Sequence, residues 1–154
     1  MNRYLRIAGV VLGVLFTLTM AAYALANADS ADKMVGVVVS ADAAKLQVVD
    51  QPGATDTITI ASLTVPGPSW IVVHIDEGGK PGMRIGLLAV PAGTSTEVSV
   101  PIDSADVKDK IIVALHADHG VLGTFDFNMK AFDTSPDKPY FVDGMELARE
   151  VVVR

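Results

Sequence analysis

The feature that most constrains this fold is a series of short β-branched segments at nearly even spacing. Each apolar run is rich in Val, Ile and Thr, and Gly, Pro, Asp or Ser follows it within about ten residues. No segment after residue 28 keeps a helical period. Such regular turn signals predict an antiparallel β-sandwich or barrel. We predict strands at residues 34–40, 45–49, 57–64, 69–76, 83–90, 95–100, 110–117, 124–129 and 145–153.

The segments between these strands carry turn signals of their own. EGGKPG at 77–82 combines flexible glycines with a fixed proline and predicts a hairpin loop. PAGTS at 91–95 predicts the same for the next pair of strands. The longest irregular stretch is KAFDTSPDKPYFVDG at 130–144, and a loop of that length often binds a ligand or packs on the surface.

The first 28 residues have the composition of an export signal. Arg3 and Arg6 are the only charged side chains before Asp29, and the apolar run IAGVVLGVLFTLTMAAYALA follows them. The stretch ALANADS places Ala26 and Ala28 at the −3 and −1 positions of a cleavage site before Asp29. The apolar run is also about twenty residues long, which is enough to span a bilayer as a helix.

Two interpretations of this segment therefore stay open. It is either a signal peptide, 1–28, that is removed, or a membrane anchor that crosses the bilayer with residues 7–26. A short linker, 29–33, then leads to a β-sandwich domain at 34–154. Both interpretations predict an extracytoplasmic domain that is secreted or anchored to the outer face of the cytoplasmic membrane.

Charge and cysteine content exclude several classes of function. Of the 12 basic residues, Arg3 and Arg6 precede the domain, so ten basic residues face 18 acidic ones and give a formal charge of −8. This charge repels phosphate backbones, so we expect no nucleic-acid partner. The chain has no cysteine, which excludes a thiol nucleophile and a thiolate copper site. It also lacks a Gly-x-Ser-x-Gly elbow, and we expect no enzymatic activity.

Two His-x-Asp elements form the candidate site. His74 and Asp76 share one face of their predicted strand, as do His116 and Asp118, because side chains two residues apart point the same way. If the strands are neighbours in register, the four side chains could converge and bind zinc or a similar divalent ion. Alternatively, each histidine ends a strand and hydrogen-bonds a loop carbonyl or the nearby aspartate. No other cofactor is expected.

The segment HADHGVLGTFDF at 116–127 raises a calcium alternative. Asp118 and Asp126 could supply oxygen ligands around a glycine bend. Residues 120–123, GVLG, carry no side-chain oxygen, and the spacing differs from the twelve-residue calcium loop. The segment is better interpreted as a turn that joins two strands.

The aromatic residues are expected to pack rather than to bind. Trp70 begins an alternation with Val72, which predicts a position in the core. The pairs Phe125/Phe127 and Tyr140/Phe141 flank the long loop and are expected to pack it onto the sandwich.

Five stretches of the chain resemble a domain family of unknown function that occurs in secreted and surface-anchored proteins of archaea and some bacteria. The resemblance implies an all-β, antiparallel immunoglobulin-like β-sandwich of about 7–9 strands, preceded here by an N-terminal hydrophobic helix or signal segment. It implies no activity and no catalytic residue. The turn GVLG is more apolar than is usual in the family. The five stretches extend over about residues 57–153 and are PSWIVVHID, GGKPGMRIG, VPAGTSTEVSVPID, IIVALHADHGVLGTFDF and PYFVDGMELAREVVV.

Two hypotheses of function follow. In the first, the domain is a non-enzymatic structural or interaction module of the cell envelope or surface, or an accessory subunit of a membrane complex. It then contacts a protein partner or a second copy of itself, and residues 7–26 contact the membrane if they are retained. In the second, it is an extracytoplasmic module that binds a ligand or a divalent metal through the two His-x-Asp elements.

Overall fold

The computed structural model describes residues 44–53 and 56–154. The predicted signal peptide or anchor at 1–28, the linker at 29–33 and the strand at 34–40 lie outside the described residues. Within the described part of the chain, no helix has the length and apolar character that crossing a membrane requires.

The described residues form ten β-strands and one short 3-10 helix, so the domain is all-β as the sequence predicted. The 3-10 helix is Met129–Thr134 and lies between β6 and β7. The strands are β1 (Lys45–Gln47), β2 (Thr57–Val65), β3 (Ser69–Asp76), β4 (Pro81–Val90), β5 (Gly93–Pro101), β6 (Lys110–Ala117), β7 (Lys138–Pro139), β8 (Phe141–Val142), β9 (Met145–Glu146) and β10 (Ala148–Val152).

Antiparallel pairing organises these strands into two larger sheets and one small hairpin. The first sheet has the order β1-β2-β5. The second has the order β10-β6-β3-β4, and β7 pairs with the end of β6 beyond β10. Strands β8 and β9 form the hairpin.

The two larger sheets share one apolar core. Their inward side chains form a single cluster of buried residues, to which β10 adds Val151 and the loop after β7 adds Tyr140. The arrangement is therefore sandwich-like, with the burial of apolar side chains from both sheets as its main stabilising force. The first sheet contributes Ile58, Ile60, Leu63, Val65 and Val100, and the second contributes Ile71, Val73, Ile111, Val113 and Leu115.

The second sheet is also covered on its outer face. Every residue from 111 to 117 in β6 is buried, and so are the first five residues of β3. A strand that is buried on both faces cannot show the alternation of a half-exposed strand. The cover is the segment 118–137, which we call the covering loop. Its Phe125 packs edge-on against Trp70 and His116, with ring centroids 5.7 and 5.6 Å apart.

Strand β2 changes its inward face along its length. Ile58 and Ile60 point into the core in one half of the strand, whereas Leu63 and Val65 do so in the other half. In a regular strand every second residue faces the same side, so the alternation is interrupted between these pairs, at residues 61–62. In β5, which pairs with β2 at this point, Glu97 has a φ of 49°, in the left-handed region.

The hairpin loop predicted at 77–82 is confirmed. It joins β3 to β4, which pair along their lengths, and Glu77 N–H donates to the Lys80 carbonyl at 3.0 Å. Gly78 and Gly79 both have positive φ, and Gly79 N–H donates to Asp76 Oδ1 at 2.6 Å. The glycines thus permit the left-handed turn that the sequence implied.

The second predicted hairpin is wrong, because the segment at 91–95 joins strands of different sheets. It carries the chain from β4 in the second sheet to β5 in the first. The chain returns to β4 just after β5 ends, where Ile102 forms an antiparallel bridge with Gly86 and Asp103 N–H donates to the Ile85 carbonyl at 2.7 Å. A Cβ on Gly86 would lie 2.8 Å from the Pro101 carbonyl oxygen, so only glycine allows this close approach.

Two predicted strands also differ in the structure. The strand expected at 124–129 is irregular, because side chains rather than a neighbouring strand bind its backbone: Asp126 N–H donates to Asp137 and Asn128 N–H to Ser135. The strand expected at 145–153 is divided at Leu147, whose N–H donates to the Tyr140 carbonyl at 2.7 Å.

Candidate functional site

The structure does not bring the four predicted metal ligands together. Strands β3 and β6 are neighbours, but their antiparallel register sets His116 opposite Trp70, four residues from His74. Asp76 ends β3 and Asp118 follows the end of β6, so the two carboxylates lie at opposite ends of the strand pair, roughly 26 Å apart along the strands. The expectation that the quartet converges is therefore corrected. The described residues contain no group of three or more His, Cys, Asp or Glu that could hold a metal ion.

His74 makes the kind of contact that the alternative prediction described. Its Nδ1 donates to the Gly82 carbonyl at 2.8 Å, since a carbonyl can only accept. Partial burial lowers the pKa of His74, the hydrogen bond to Gly82 acts in the opposite direction, and the nearby charge of Arg84 lowers the pKa further. A neutral ring with its proton on Nδ1 leaves Nε2 as an acceptor.

His116 lies between two phenylalanine rings under the covering loop. It is 2% exposed, and its ring meets Phe125 and Phe127 edge-on at 5.6 and 4.7 Å between centroids. Burial, with a smaller effect of His74, lowers the pKa of His116 to about 3. The imidazole is therefore neutral at ordinary pH. The hydrogen bond predicted for this histidine is not formed at Nδ1, which has no partner within the described residues.

Trp70 is buried, but in a different layer from the one that the sequence suggested. It lies on the outer face of the second sheet beneath the covering loop and is not part of the cluster between the sheets. The alternation of Trp70 with Val72 correctly predicted burial, but alternation alone cannot tell which side of a doubly covered sheet faces the main core. The prediction that Phe125 and Phe127 pack the loop onto the sandwich is confirmed.

A buried carboxylate organises the start of the covering loop. Asp137 has no exposed surface, and its Oδ1 accepts from the N–H groups of His119 at 2.9 Å and Gly120 at 3.3 Å. Its Oδ2 accepts from Asp126 N–H at 2.7 Å. Several backbone donors on one carboxylate satisfy its charge inside the protein. Asp118 adds a further link, because its Oδ2 accepts from Gly123 N–H at 2.8 Å.

Ser135 and Lys138 hold the second half of the loop. Ser135 Oγ accepts from Asn128 N–H at 2.8 Å. The buried Lys138 ammonium donates to the carbonyls of Phe132 at 2.6 Å and Asp133 at 3.1 Å. It also lies 5.1 Å from the centre of the Phe132 ring. Sequence reasoning missed Asp137, Ser135 and Lys138, although the turn-rich string SPDKP, which contains all three, signalled a side-chain-capped segment.

The covering loop and the start of β4 enclose an open groove of about 440 Å³. The Arg84 guanidinium lies 5.1 Å from the centre of the Phe125 ring, a cation–π contact. No carboxylate forms an ion pair with Arg84 among the residues that the structure describes. We call this feature the groove; its lining residues are His74, Pro81, Gly82, Met83, Arg84, Phe125, Phe127 and Met129.

Exposed apolar side chains lie in the groove and at the tip of the covering loop. Met83 and Met129, which line it, are 52% and 64% exposed. At the tip of the covering loop, Val121 and Leu122 are each 68% exposed. Polar side chains would normally occupy such positions on a surface that contacts only water, and clusters of exposed apolar residues mark contact sites. The turn GVLG, which lacks oxygen ligands, is thus an exposed apolar tip.

A second hollow of about 450 Å³ lies on the other side of the same two phenylalanines. Its lining is more polar and includes Asp126, Asn128 and Ser135 beside Phe125 and Phe127. The phenylalanines therefore form a wall between two depressions of similar volume, and the groove beside Arg84 is the one that carries a cation.

Comparison with known proteins identifies the domain. The model of the family named domain of unknown function DUF7282 matches residues 44–154. No curated protein and no solved structure matches the chain. The matched range includes both sheets, the covering loop and the groove, so the family model extends over the whole structure described above. The chain therefore belongs to the family of domains of unknown function called DUF7282.

Proposed function

We propose that this is an exported, non-enzymatic interaction domain that binds a protein partner through the groove. The observation that carries the proposal is the combination, in one surface, of an aromatic-lined depression, exposed methionines and a cation that has no carboxylate partner among the described residues. Methionine side chains adapt to different partners, and aromatic residues with arginine are enriched at contact surfaces.

The occupant that fits the groove is an apolar protein segment with a carboxylate beside its apolar side chain. The apolar side chain would lie against Phe127 and Met129, and the carboxylate would pair with Arg84. The domain carries an excess of acidic residues, so Arg84 stands out as the position where an acidic partner is attracted. His74 Nε2 supplies an acceptor at the same rim.

The proposal includes an immunoglobulin-like arrangement of the two sheets. Antiparallel sheets that share one core, and a chain that passes from β4 in one sheet to β5 in the other, support it. In such sandwiches the loops at the ends and faces carry binding, while the sheets supply a rigid base.

The proposal places the domain outside the cytoplasm, as a component of the cell envelope or surface. The signal-like composition of residues 1–28 supports this location. If residues 7–26 are retained as an anchor, the domain would act as an accessory subunit beside a membrane complex. The absence of cysteine lets the domain fold without a disulfide in either redox environment.

Site-specific photo-crosslinking in the native organism tests the proposal. A photoreactive residue at Met129, on the rim of the groove, is compared with one at Val49, which is also 64% exposed but does not line the groove. We expect one discrete crosslinked protein from position 129 alone, joined at a segment that contains a carboxylate next to an apolar residue. Arg84→Glu should abolish this crosslink. Equal crosslinking from both positions, or a crosslink that Arg84→Glu leaves unchanged, would contradict the proposal.

A further inference from the structure

Three buried polar atoms where β3 and β6 meet the start of the covering loop have no hydrogen-bond partner within the described residues. They are Trp70 Nε1, His116 Nδ1 and Asp118 Oδ1. Their residues are 7%, 2% and 8% exposed, so bulk water does not solvate them. A buried polar atom without a partner is destabilising, and native proteins rarely leave one. Three such atoms in one region therefore require a common explanation.

The strand register brings the three residues together. Trp70 and His116 are direct cross-strand partners, and Asp118 follows two residues later in the chain. Side chains that oppose each other in this way have Cβ atoms about 5 Å apart, and diagonal neighbours are about 7–8 Å apart. The rings of Trp70 and His116 both contact Phe125, which covers them from above.

The three atoms differ in what they require. The indole N–H of Trp70 can only donate, and a carboxylate oxygen of ionised Asp118 can only accept. Burial keeps the pKa of His116 at about 3, so its ring is neutral and one nitrogen is an acceptor. With Nδ1 as that acceptor, the site presents one donor and two acceptors.

We propose that Trp70, His116 and Asp118 together bind one internal water molecule. The water accepts from the Trp70 indole N–H and donates its two protons to His116 Nδ1 and Asp118 Oδ1. One donor and two acceptors match the valence of a single water, which usually makes about three hydrogen bonds when buried. The His116 proton then resides on Nε2.

A metal ion fits this site poorly, although it contains half of the His-x-Asp set. An indole N–H can only donate a hydrogen bond and offers no lone pair to a cation. In addition, the other oxygen of Asp118 already accepts from Gly123 N–H. The water also links the sheet to the covering loop, since Trp70 belongs to β3 and Asp118 starts the loop. This inference is independent of the partner proposed for the groove.

Nuclear magnetic resonance of the purified full chain tests the proposal. We expect the His116 ring to show an unprotonated Nδ1 and a protonated Nε2, and the Trp70 indole proton to show a cross-relaxation signal with a long-lived water. Washing with a chelator should leave both signals unchanged. A protonated Nδ1, a direct hydrogen bond from the indole to Asp118, or signals that vanish with the chelator would overturn the proposal.

A variant pair tests the same site without reliance on one signal. Trp70→Phe keeps the ring beside Phe125 but removes the donor, so the water loses its anchor and the nitrogen resonances of His116 should shift. The matched control is Met83→Leu, which changes an exposed residue of the groove but none of the three water-binding side chains. The proposal fails if the His116 resonances respond equally to both substitutions.

Discussion

Asp137 binds three backbone N–H groups of the covering loop although it has no contact with solvent. We expect Asp137→Ala to lower the free energy of unfolding by about 3–5 kcal/mol, because hydrogen bonds to charged groups contribute about 1.5–3 kcal/mol each and are partly replaced by water. Urea denaturation measures the change. Asp133→Ala removes an exposed carboxylate from the same loop and should change stability by less than about 0.5 kcal/mol. Equal effects would show that Asp137 does not organise the loop.

His116 makes stability depend on pH. Its pKa is 6.5 in the unfolded chain and about 3 in the folded domain, so the unfolded state binds more protons between these values. The contribution of the neutral His116 ring to the free energy of unfolding is fully present above pH 6.5, and it decreases as the pH falls toward 3. We expect wild type to lose about 3 kcal/mol more than His116→Gln between pH 7 and pH 4, as urea denaturation would show. The matched control, His119→Gln, alters an exposed histidine and should follow wild type.

The β8–β9 hairpin depends on a two-residue turn with left-handed backbone. Asp143 and Gly144 have φ values of 52° and 76°, the signs of a type I′ turn. Gly144→Ala should destabilise the domain by about 1 kcal/mol, because a Cβ is disfavoured in this conformation. Gly67→Ala is the control, since Gly67 has no positive φ and nothing lies within 4 Å of a Cβ there. Thermal unfolding compares the two, and a larger loss for Gly67→Ala would contradict the expectation.

Strands were predictable from the sequence where hydrophobic segments and turn residues coincide. The predicted bounds of β3 and β6, 69–76 and 110–117, agree with the structure. The strand predicted at 124–129 was wrong, because the backbone N–H groups of Asp126 and Asn128 donate to the side chains of Asp137 and Ser135, which lie further along the chain. The Asp-Gly pair at 143–144 is a strong signal for a hairpin turn. The prediction that residues 130–144 form one irregular segment did not use it.

The candidate site was less predictable than the strands, because it depends on register. The spacing of two residues placed His116 and Asp118 on one face of a strand. Only the pairing of β3 with β6, however, determines that His116 lies opposite Trp70 rather than His74. Register comes from contacts far apart in the chain, and the apolar residues on both faces of β3 and β6 gave no alternation from which to infer it. The groove likewise joins β4 to residues 125–129 of the covering loop, which are about forty residues further along the chain.

For the molecule as a whole, the N-terminus of the native protein distinguishes a cleaved signal peptide from a membrane anchor. We expect the domain to be outside the cytoplasm whether residues 1–28 are removed or kept. Intact mass of the native protein separates a chain that begins at Asp29 from one that retains Met1. Protease added to whole cells should digest the domain in either case. A protein that survives this treatment but is digested after lysis would contradict export.

The covering loop has a consequence for how the molecule opens. Residues 69–73 of β3 and 111–117 of β6 are buried between the covering loop and the first sheet, so we expect that local fluctuations at the surface do not expose their backbone. The amide hydrogens of these strand residues should therefore exchange with solvent deuterium only when the entire domain unfolds. The amides of Val121 and Leu122 at the loop tip should exchange before the first time point of a hydrogen–deuterium exchange experiment. An order of exchange from loop to sheet would then report, residue by residue, the sequence of events in unfolding.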